Sequence, residues 1–224
     1  MNILLAGAEG RMNASILSLA TKDQGWSVIA GSQGDSVESY ESLVHDYNID
    51  CFVDFSSANF WPTLEELILR TNIPLVSGTT GIDDLNDRIK RLSSFAPVFY
   101  ASNFSIGIQY MKKILQLRPE TTYNSLSIEE IHHLQKKDKP SGTALDLASI
   151  LGVHPNAINA IRAEHEIGTH QVTMKFDDQE IVIQHKCLNR NVFSKGALAI
   201  VPWLVKKPAG LYGFKEYFSN EGIK

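Results

Sequence analysis

The chain has only two cysteines in 224 residues, Cys51 and Cys187, and they lie far apart. Two distant thiols exclude a disulfide framework, and nothing around them has the spacing of a zinc site. Cys51 sits in the apolar run 49–53, where a buried free thiol is expected. No apolar run reaches the roughly 18 residues of a membrane span. An excess of basic charge is also missing: Lys and Arg number 21 against 25 Asp and Glu, a net charge of −4. That balance excludes general binding to nucleic acid or to a membrane surface. Low-complexity tracts, long linkers and internal repeats are absent too. Met1–Ala6 lacks the basic start of a signal peptide, so a cytoplasmic protein is expected. In that compartment the triplets beginning at Asn13 and Asn103 are chance matches to a glycosylation signal. With 43% hydrophobic and 21% charged residues the chain reads as an ordinary globular protein, large enough for two small domains.

The first hundred residues alternate short apolar runs with helical patterns. Ile3–Ala6, Ser27–Ala30, Cys51–Phe55, Ile73–Val76 and Pro97–Tyr100 are the expected strands. Met12, Ile16, Leu19 and Ala20 form one helical face, and Leu64–Arg70 and Leu85–Phe95 share that periodicity. This β-α-β rhythm predicts an α/β fold, a parallel sheet covered by helices on both faces. After Asn103 the pattern changes. A helix is expected over Ile106–Leu117 and another over Thr143–Leu151, stopped by Gly152. Strands are expected over Leu126–Ile131, Gln171–Phe176 and Glu180–Gln184. These suit a second domain on an open mixed or antiparallel sheet.

Gly7-Ala8-Glu9-Gly10-Arg11-Met12 follows the first strand and opens the first helix. Glycines there let the backbone turn tightly and approach a pyrophosphate, which the first helical amides bind. An ordinary βα turn remains open on this motif alone. Asn13 stands where the last glycine of the dinucleotide fingerprint belongs, and is expected to push the helix slightly outward. The acidic residue that usually ends the second strand is missing from Ala30-Gly31-Ser32-Gln33-Gly34-Asp35. NADH and NADPH are therefore both admitted. Ser32 and Gln33 can donate to a 2′-phosphate, and Asp35 can serve a ribose if the loop folds back. Ser77-Gly78-Thr79-Thr80-Gly81 and Ala101-Ser102-Asn103-Phe104 end later strands. Ligands bind outside the carboxyl ends of parallel strands, so both segments are expected in one crevice.

The densest chemistry lies in Glu130–Ala144, with His132, His133, Lys136, Lys137 and Lys139 followed by Pro140-Ser141-Gly142-Thr143. Ser141 or Thr143 caps the helix that starts here. Amides at Gly142 and Thr143, with the positive end of the helix dipole, form a carboxylate cradle to which His133 and Lys136 add charge-assisted hydrogen bonds. Histidine delivers a proton readily at neutral pH. No metal is expected, because no carboxylate or cysteine sits at ligand spacing and three lysines would repel a cation.

The run Glu-x-His-His-x-x-Lys-x-Asp-x-Pro-Ser-Gly-Thr-Ala from Glu130 to Ala144 resembles the dihydrodipicolinate (4-hydroxy-tetrahydrodipicolinate) reductase family. The resemblance covers essentially the whole chain, through Gly7 to Met12, Val53-Asp54-Phe55, Gly78 to Gly81, Asn103 to Gly107, Ile167 to His170, His185-Lys186, Arg190 and Leu211-Tyr212. It implies a Rossmann-type cofactor domain (1–103 and 191–224) and a smaller α+β domain (104–190) whose open sheet binds substrate and builds a homotetramer. His132 then falls on the proton donor and Lys136 on the catalytic lysine. His133, Gly142 and Thr143 fall on carboxylate contacts. Contacts to NADPH or NADH fall on Gly7 to Met12, Gly78 to Thr80 and Ala101 to Phe104. The departures are Asn13, the missing acidic residue near Gly31, Glu164 where glycine is common, and a shorter segment around 152–159.

The implied reaction is hydride transfer to a small heterocyclic dicarboxylate with loss of water, completed by a proton from His132. Domain closure would bring the ring to the nicotinamide. Two alternatives are another small NAD(P)-dependent dehydrogenase, such as an aspartate dehydrogenase, and a silent nucleotide-binding regulator. The intact His132 and Lys136 argue against both.

Overall fold

A computed structural model describes residues 1–7, 10–23, 25–118 and 123–220. The chain divides into two compact units, Met1–Phe104 with Phe193–Lys224, and Ser105–Val192.

The first unit is built on strands β1 (Asn2–Ala6), β2 (Ser27–Gly31), β3 (Cys51–Asp54), β4 (Leu75–Ser77) and β5 (Pro97–Tyr100). Between them run helices α1 (Arg11–Asp23), α2 (Val37–Tyr47), α3 (Trp61–Thr71) and α4 (Leu85–Leu92). A late strand, β10 (Gly210–Tyr212), completes a parallel six-stranded sheet in the order β10-β5-β4-β3-β1-β2. This is the expected Rossmann-type sheet. Its central strands read as unbroken apolar runs because both of their faces are covered: Ile3, Leu4, Leu5, Phe52, Val53, Leu75 and Val76 are all fully buried. Strand order reverses between β1 and β3, the position where ligands of such sheets bind, outside the carboxyl ends. Helix α2 was not evident from periodicity. Its core contribution is limited to Val37, Tyr40 and the half-buried Leu43 and Val44, and its start is set by the Ser36 hydroxyl accepting from the Ser39 amide at 3.3 Å.

The second unit holds α5 (Ile106–Gln116), β6 (Ser125–His132), α6 (Gly142–Leu151), β7 (Ile158–Arg162), β8 (Thr169–Lys175) and β9 (Glu180–Lys186). The sheet is mixed, in the order β7-β6-β8-β9, with only the β6–β7 pair parallel. Alternation along the strands puts Ile128, Ile158, Val172 and Met174 on one face, where Ile108, Met111 and Leu115 of α5 and Ala144, Leu147 and Leu151 of α6 close over them. Ile183 joins this core, whereas Ile181, expected beside it, is 47% exposed at the rim. The opposite face carries no helix among the described residues of the unit and is laced with polar contacts, such as Gln184 to Gln171 at 3.0 Å and Asn159 to Glu129 at 2.8 Å.

The last two helices are α7 (Asn191–Leu204), which belongs to the first unit from Phe193 onward, and α8 (Phe214–Asn220). No helix among the described residues is long and apolar enough to cross a membrane.

Candidate active site

At the first strand-to-helix turn, Gly7 has φ of 69°, a left-handed conformation that costs a side-chain-bearing residue about 1–2 kcal/mol. Space is closed as well, since a Cβ there would lie 2.7 Å from Gln33 and 2.8 Å from Ser56. Ala8 and Glu9 lie outside the described residues. The Gly10 carbonyl accepts from Ala14 at 3.0 Å, so α1 starts at once, and its first amides have no partner within the helix. Arg11 is exposed and Met12 half-buried on that first turn.

Asn13 does not push the helix outward. It is fully buried, and its amide donates to the carbonyls of Ala6 at 3.0 Å and Gly7 at 2.6 Å. The side chain thus ties α1 back to the end of β1, using hydrogen bonds where a glycine would use close contact.

Asp54, at the end of β3, organises the neighbouring loops and had no role in the sequence reading beyond the family pattern. Its buried carboxylate accepts from the Ser56 amide at 3.0 Å, Trp61 Nε1 at 3.1 Å, Ser77 Oγ at 2.7 Å and Thr79 Oγ1 at 2.9 Å. The Thr79 hydroxyl is therefore turned inward, while Thr80 is exposed. Gly78 permits a close approach, because a Cβ would stand 2.2 Å from the Phe55 ring. Phe104 is a core residue, packed edge-on against Phe55 with centroids 5.1 Å apart; Ala101 and Asn103 are half-buried and Ser102 is exposed.

The loop after β2 does fold back, but onto itself. The Asp35 carboxylate accepts from the Ser32 amide at 2.7 Å, and the Ser32 carbonyl accepts from Tyr40 Oη at 2.9 Å. Gln33 lies over the glycine turn and takes the Ser57 hydroxyl at 2.7 Å. A glycine cradle that a Cβ would fill, followed by the start of a helix whose first amides its own backbone does not use, fits a dinucleotide pyrophosphate.

The second cluster follows from strand register. Glu130 and His132 are two apart on β6 and share the helix-covered face. Glu130 is paired with His170 of β8, which is paired with His185 of β9, and His132 is paired with Arg162 of β7. Four strands thereby bring a carboxylate, three imidazoles and a guanidinium to one end of one sheet. Glu130 is fully buried, and its Oε1 accepts from the Ser141 amide at 3.0 Å and from both Arg162 Nη atoms at 3.2 Å. Its Oε2 stands 3.1 Å from His132 Nδ1, an ion-pair contact off the line of a full hydrogen bond, and 3.9 Å from His170 Nε2. His170 Nε2 is also 3.2 Å from Ser141 Oγ.

This corrects the expectation that no carboxylate stands at ligand spacing, for atoms of Glu130, His132 and His170 all lie within 4.8 Å of one another. A resident cation would have to compete there with Arg162, which already balances the carboxylate. His170 and Arg162 are distant in sequence and could be found only by knowing the β6–β7 and β6–β8 register.

Burial pushes the Glu130 carboxyl up, but the His132 ring and the Ser141 hydroxyl and amide outweigh it and hold the group down at about 2. Burial, and then the charge of His132, push His170 down to about 3. Both folded values are depressed, so both groups add stability at neutral pH that acid removes. The unfolded chain takes up the His170 proton below its ordinary 6.5 and the Glu130 proton below its ordinary 4.5, while the folded chain resists until about 3 and about 2. From pH 6.5 to pH 5 the His170 share is about 2 kcal/mol. Replacing His170 by Asn is therefore expected to flatten unfolding free energy against pH over that range, as measured by urea titration. Parallel wild-type and variant curves would show that His170 is not the buried neutral group.

Ser141 is the cap of α6: its hydroxyl accepts from the Ala144 amide at 3.2 Å, worth about 1 kcal/mol. Gly142 is exposed at the first helical position, and a Cβ there would meet nothing within 4 Å; Thr143 beside it is half-buried. Lys136 Nζ donates to Asp138 Oδ1 at 2.8 Å, and Asp138 is held below the usual carboxylate range because this contact and the Gly142 amide outweigh its partial burial. Lys137 and Lys139 are exposed. His133 Nδ1 is 3.2 Å from Gln135 Oε1 and lines a cavity of about 440 Å³ with Glu164, His165 and Arg190. His165 has φ of 64°, so the strain in this loop falls one residue after the position where Glu164 replaces the common glycine.

Residues 1–104 match the family model for the N-terminus of dihydrodipicolinate reductase, and residues 105–218 match that for its C-terminus. A 4-hydroxy-tetrahydrodipicolinate reductase of Bdellovibrio bacteriovorus is 31% identical over 231 residues, covering 100% of this chain and 99% of that protein. Its counterpart from Desulfovibrio desulfuricans is 31% identical over 255 residues, covering 96% and 98%. Among solved structures, the dipicolinate-bound dihydrodipicolinate reductase of Paenisporosarcina sp. TG-14 has the same fold, with a TM-score of 0.77 at 22% identity over 95% of this chain and 97% of that one. The chain belongs to the dihydrodipicolinate reductase family.

Proposed function

We propose that the chain reduces 4-hydroxy-tetrahydrodipicolinate to tetrahydrodipicolinate with NADH or NADPH, in lysine and diaminopimelate biosynthesis. Hydride and a proton enter the substrate and water leaves. One observation carries this reading: the sheet register seats His132, 8% exposed, against Glu130 at 3.1 Å, on the strand that runs directly into the Lys136 loop and the start of α6. The whole-length matches agree, and they favour neither the aspartate dehydrogenase-like reading nor the silent regulator.

Gly7, Gly10, Arg11 and Met12 would hold the pyrophosphate. Ser32, Gly78 to Thr80 and Ala101 to Phe104 would line the rest of the cofactor site, Thr79 and Phe104 through their backbone. The reduced nicotinamide supplies the hydride when bound. Gly142 and Thr143 put the first turn of α6 and its helix dipole beside a substrate carboxylate, which would take over the Gly142 amide from Asp138, and the open space around Gly142 leaves room for it. His133 adds a charge-assisted hydrogen bond. His132 gives the proton that neutralises charge developing on the ring, and Lys136 supports that charge electrostatically.

The helix-free face of the second sheet is proposed as the homotetramer interface. Val182, 47% exposed on that face, and the half-buried Ile131 and Ile161 support this. The two free thiols suit a reducing cytoplasm.

The deciding test is a coupled assay in which the preceding synthase generates substrate in situ and NADH or NADPH oxidation is followed. Turnover is expected with at least one cofactor and none with oxaloacetate plus ammonia. Silence with both cofactors would overturn the assignment.

A further inference from the structure

The two oxygens of Glu130 stand differently: Oε1 is hydrogen-bonded, whereas Oε2 makes only ion-pair-distance contacts. Oε1 is fixed by the Ser141 amide and both Arg162 nitrogens, so the carboxylate cannot rotate away. Oε2 is left facing His132 Nδ1 at 3.1 Å, with His170 Nε2 farther off at 3.9 Å. His170 Nε2 already has Ser141 Oγ at 3.2 Å, which leaves the carboxylate to His132. On the other side of the His132 ring lies Gly168, where a Cβ would stand 3.0 Å from Nε2; its absence keeps the space beside that nitrogen unfilled.

We propose that Glu130 is the positioning residue for the proton donor: its Oε2 holds the Nδ1–H edge of His132, so that the proton given to substrate leaves from Nε2. The proposal rests on the reading of His132 as donor. The charged and titratable groups around the ring are Arg162 from β7, His170 from β8, Lys136 from the loop after β6 and Glu130 from its own strand, with His185 of β9 beyond His170. Arg162 and Lys136 disfavour a second cation, and Glu130 is the anion in contact with the ring. Removing its charge should therefore make the imidazolium harder to form.

In the wild-type protein labelled with 15N-histidine, the His132 ring is expected in the Nδ1–H tautomer when neutral. In Glu130→Gln, which keeps an acceptor for the Ser141 amide, the alkaline limb of kcat/KM against pH should move down by about one unit. Affinity for dipicolinate, measured by calorimetry, should change by less than about threefold, because the variant leaves the Gly142–Thr143 cradle intact. A merely structural role predicts the reverse, with weaker dipicolinate binding and an unmoved pH profile. An unmoved limb overturns the proposal, and so does an Nε2–H tautomer in the wild type. The tautomer also decides if Glu130→Gln fails to fold. Full activity in His132→Gln would sink the donor reading alone and leave the tautomer to judge the Glu130 contact.

Discussion

Replacing His132 by glutamine is expected to lower kcat by about 10²–10⁴-fold, the usual contribution of a positioned general acid. Glutamine can still hydrogen-bond to Glu130, so the buried carboxylate keeps a neighbour and the sheet keeps its register. What it cannot do is carry an ionisable proton at neutral pH. Cofactor affinity should stay within about twofold. His132 belongs to the Ser105–Val192 unit, whereas the glycine turn, the Asp54 hub and the loop after β2 all belong to the other. Steady-state turnover, with NADH and NADPH titrated separately by calorimetry, distinguishes the two effects. A variant that turns over normally would remove His132 from the chemistry. One that loses cofactor affinity in proportion to kcat would point to a structural role.

The parts of this fold that were legible in the sequence are those where one residue type does one job over several positions. The parallel strands read clearly because both faces are buried and the runs are continuous, as in Ile3–Ala6 and Cys51–Asp54. The His-His-Lys segment read clearly because its residues are close together in the chain. Other elements were obscured by local chemistry. Helix α7 contains Gly196 and Pro202, both of which read as breakers, yet Gly196, Ala197, Ile200, Val201 and Leu204 are all buried. Strand β7 is five residues long with one buried side chain, too little alternation to register.

In the site, spacing could not show that Glu130 joins His132 or that His170 and Arg162 complete the group, because strand pairing decides both. Asn13 misled for a different reason. A polar residue in a glycine position was weighed by its volume, whereas its amide donates to the Ala6 and Gly7 carbonyls at the end of β1. Asp138 has no role in the sequence beyond its place in the motif, although it is the group that Lys136 holds.

That last contact shapes the second large effect. Lys136→Ala is expected to reduce kcat/KM by about 10³-fold or more, through both constants. Losing one preorganised charge that supports the developing negative charge costs about 10²–10³ in kcat, and losing a charge-assisted contact to substrate costs a further factor of about ten or more in KM. Asp138 adds to the binding loss. In the native loop its carboxylate is compensated by Lys136 Nζ at 2.8 Å, next to the Gly142 amide that a substrate carboxylate needs. Without the lysine it remains as a negative charge with no cation beside it, still holding the Gly142 amide at an anion site. The double variant Lys136→Ala with Asp138→Asn should therefore recover part of the KM loss and none of the kcat loss. Initial rates over a substrate series, with dipicolinate inhibition constants alongside, separate the two. A wild-type kcat/KM in Lys136→Ala would reduce the lysine to a solvated charge. Equal KM values in the single and double variants would show that Asp138 does not repel the substrate.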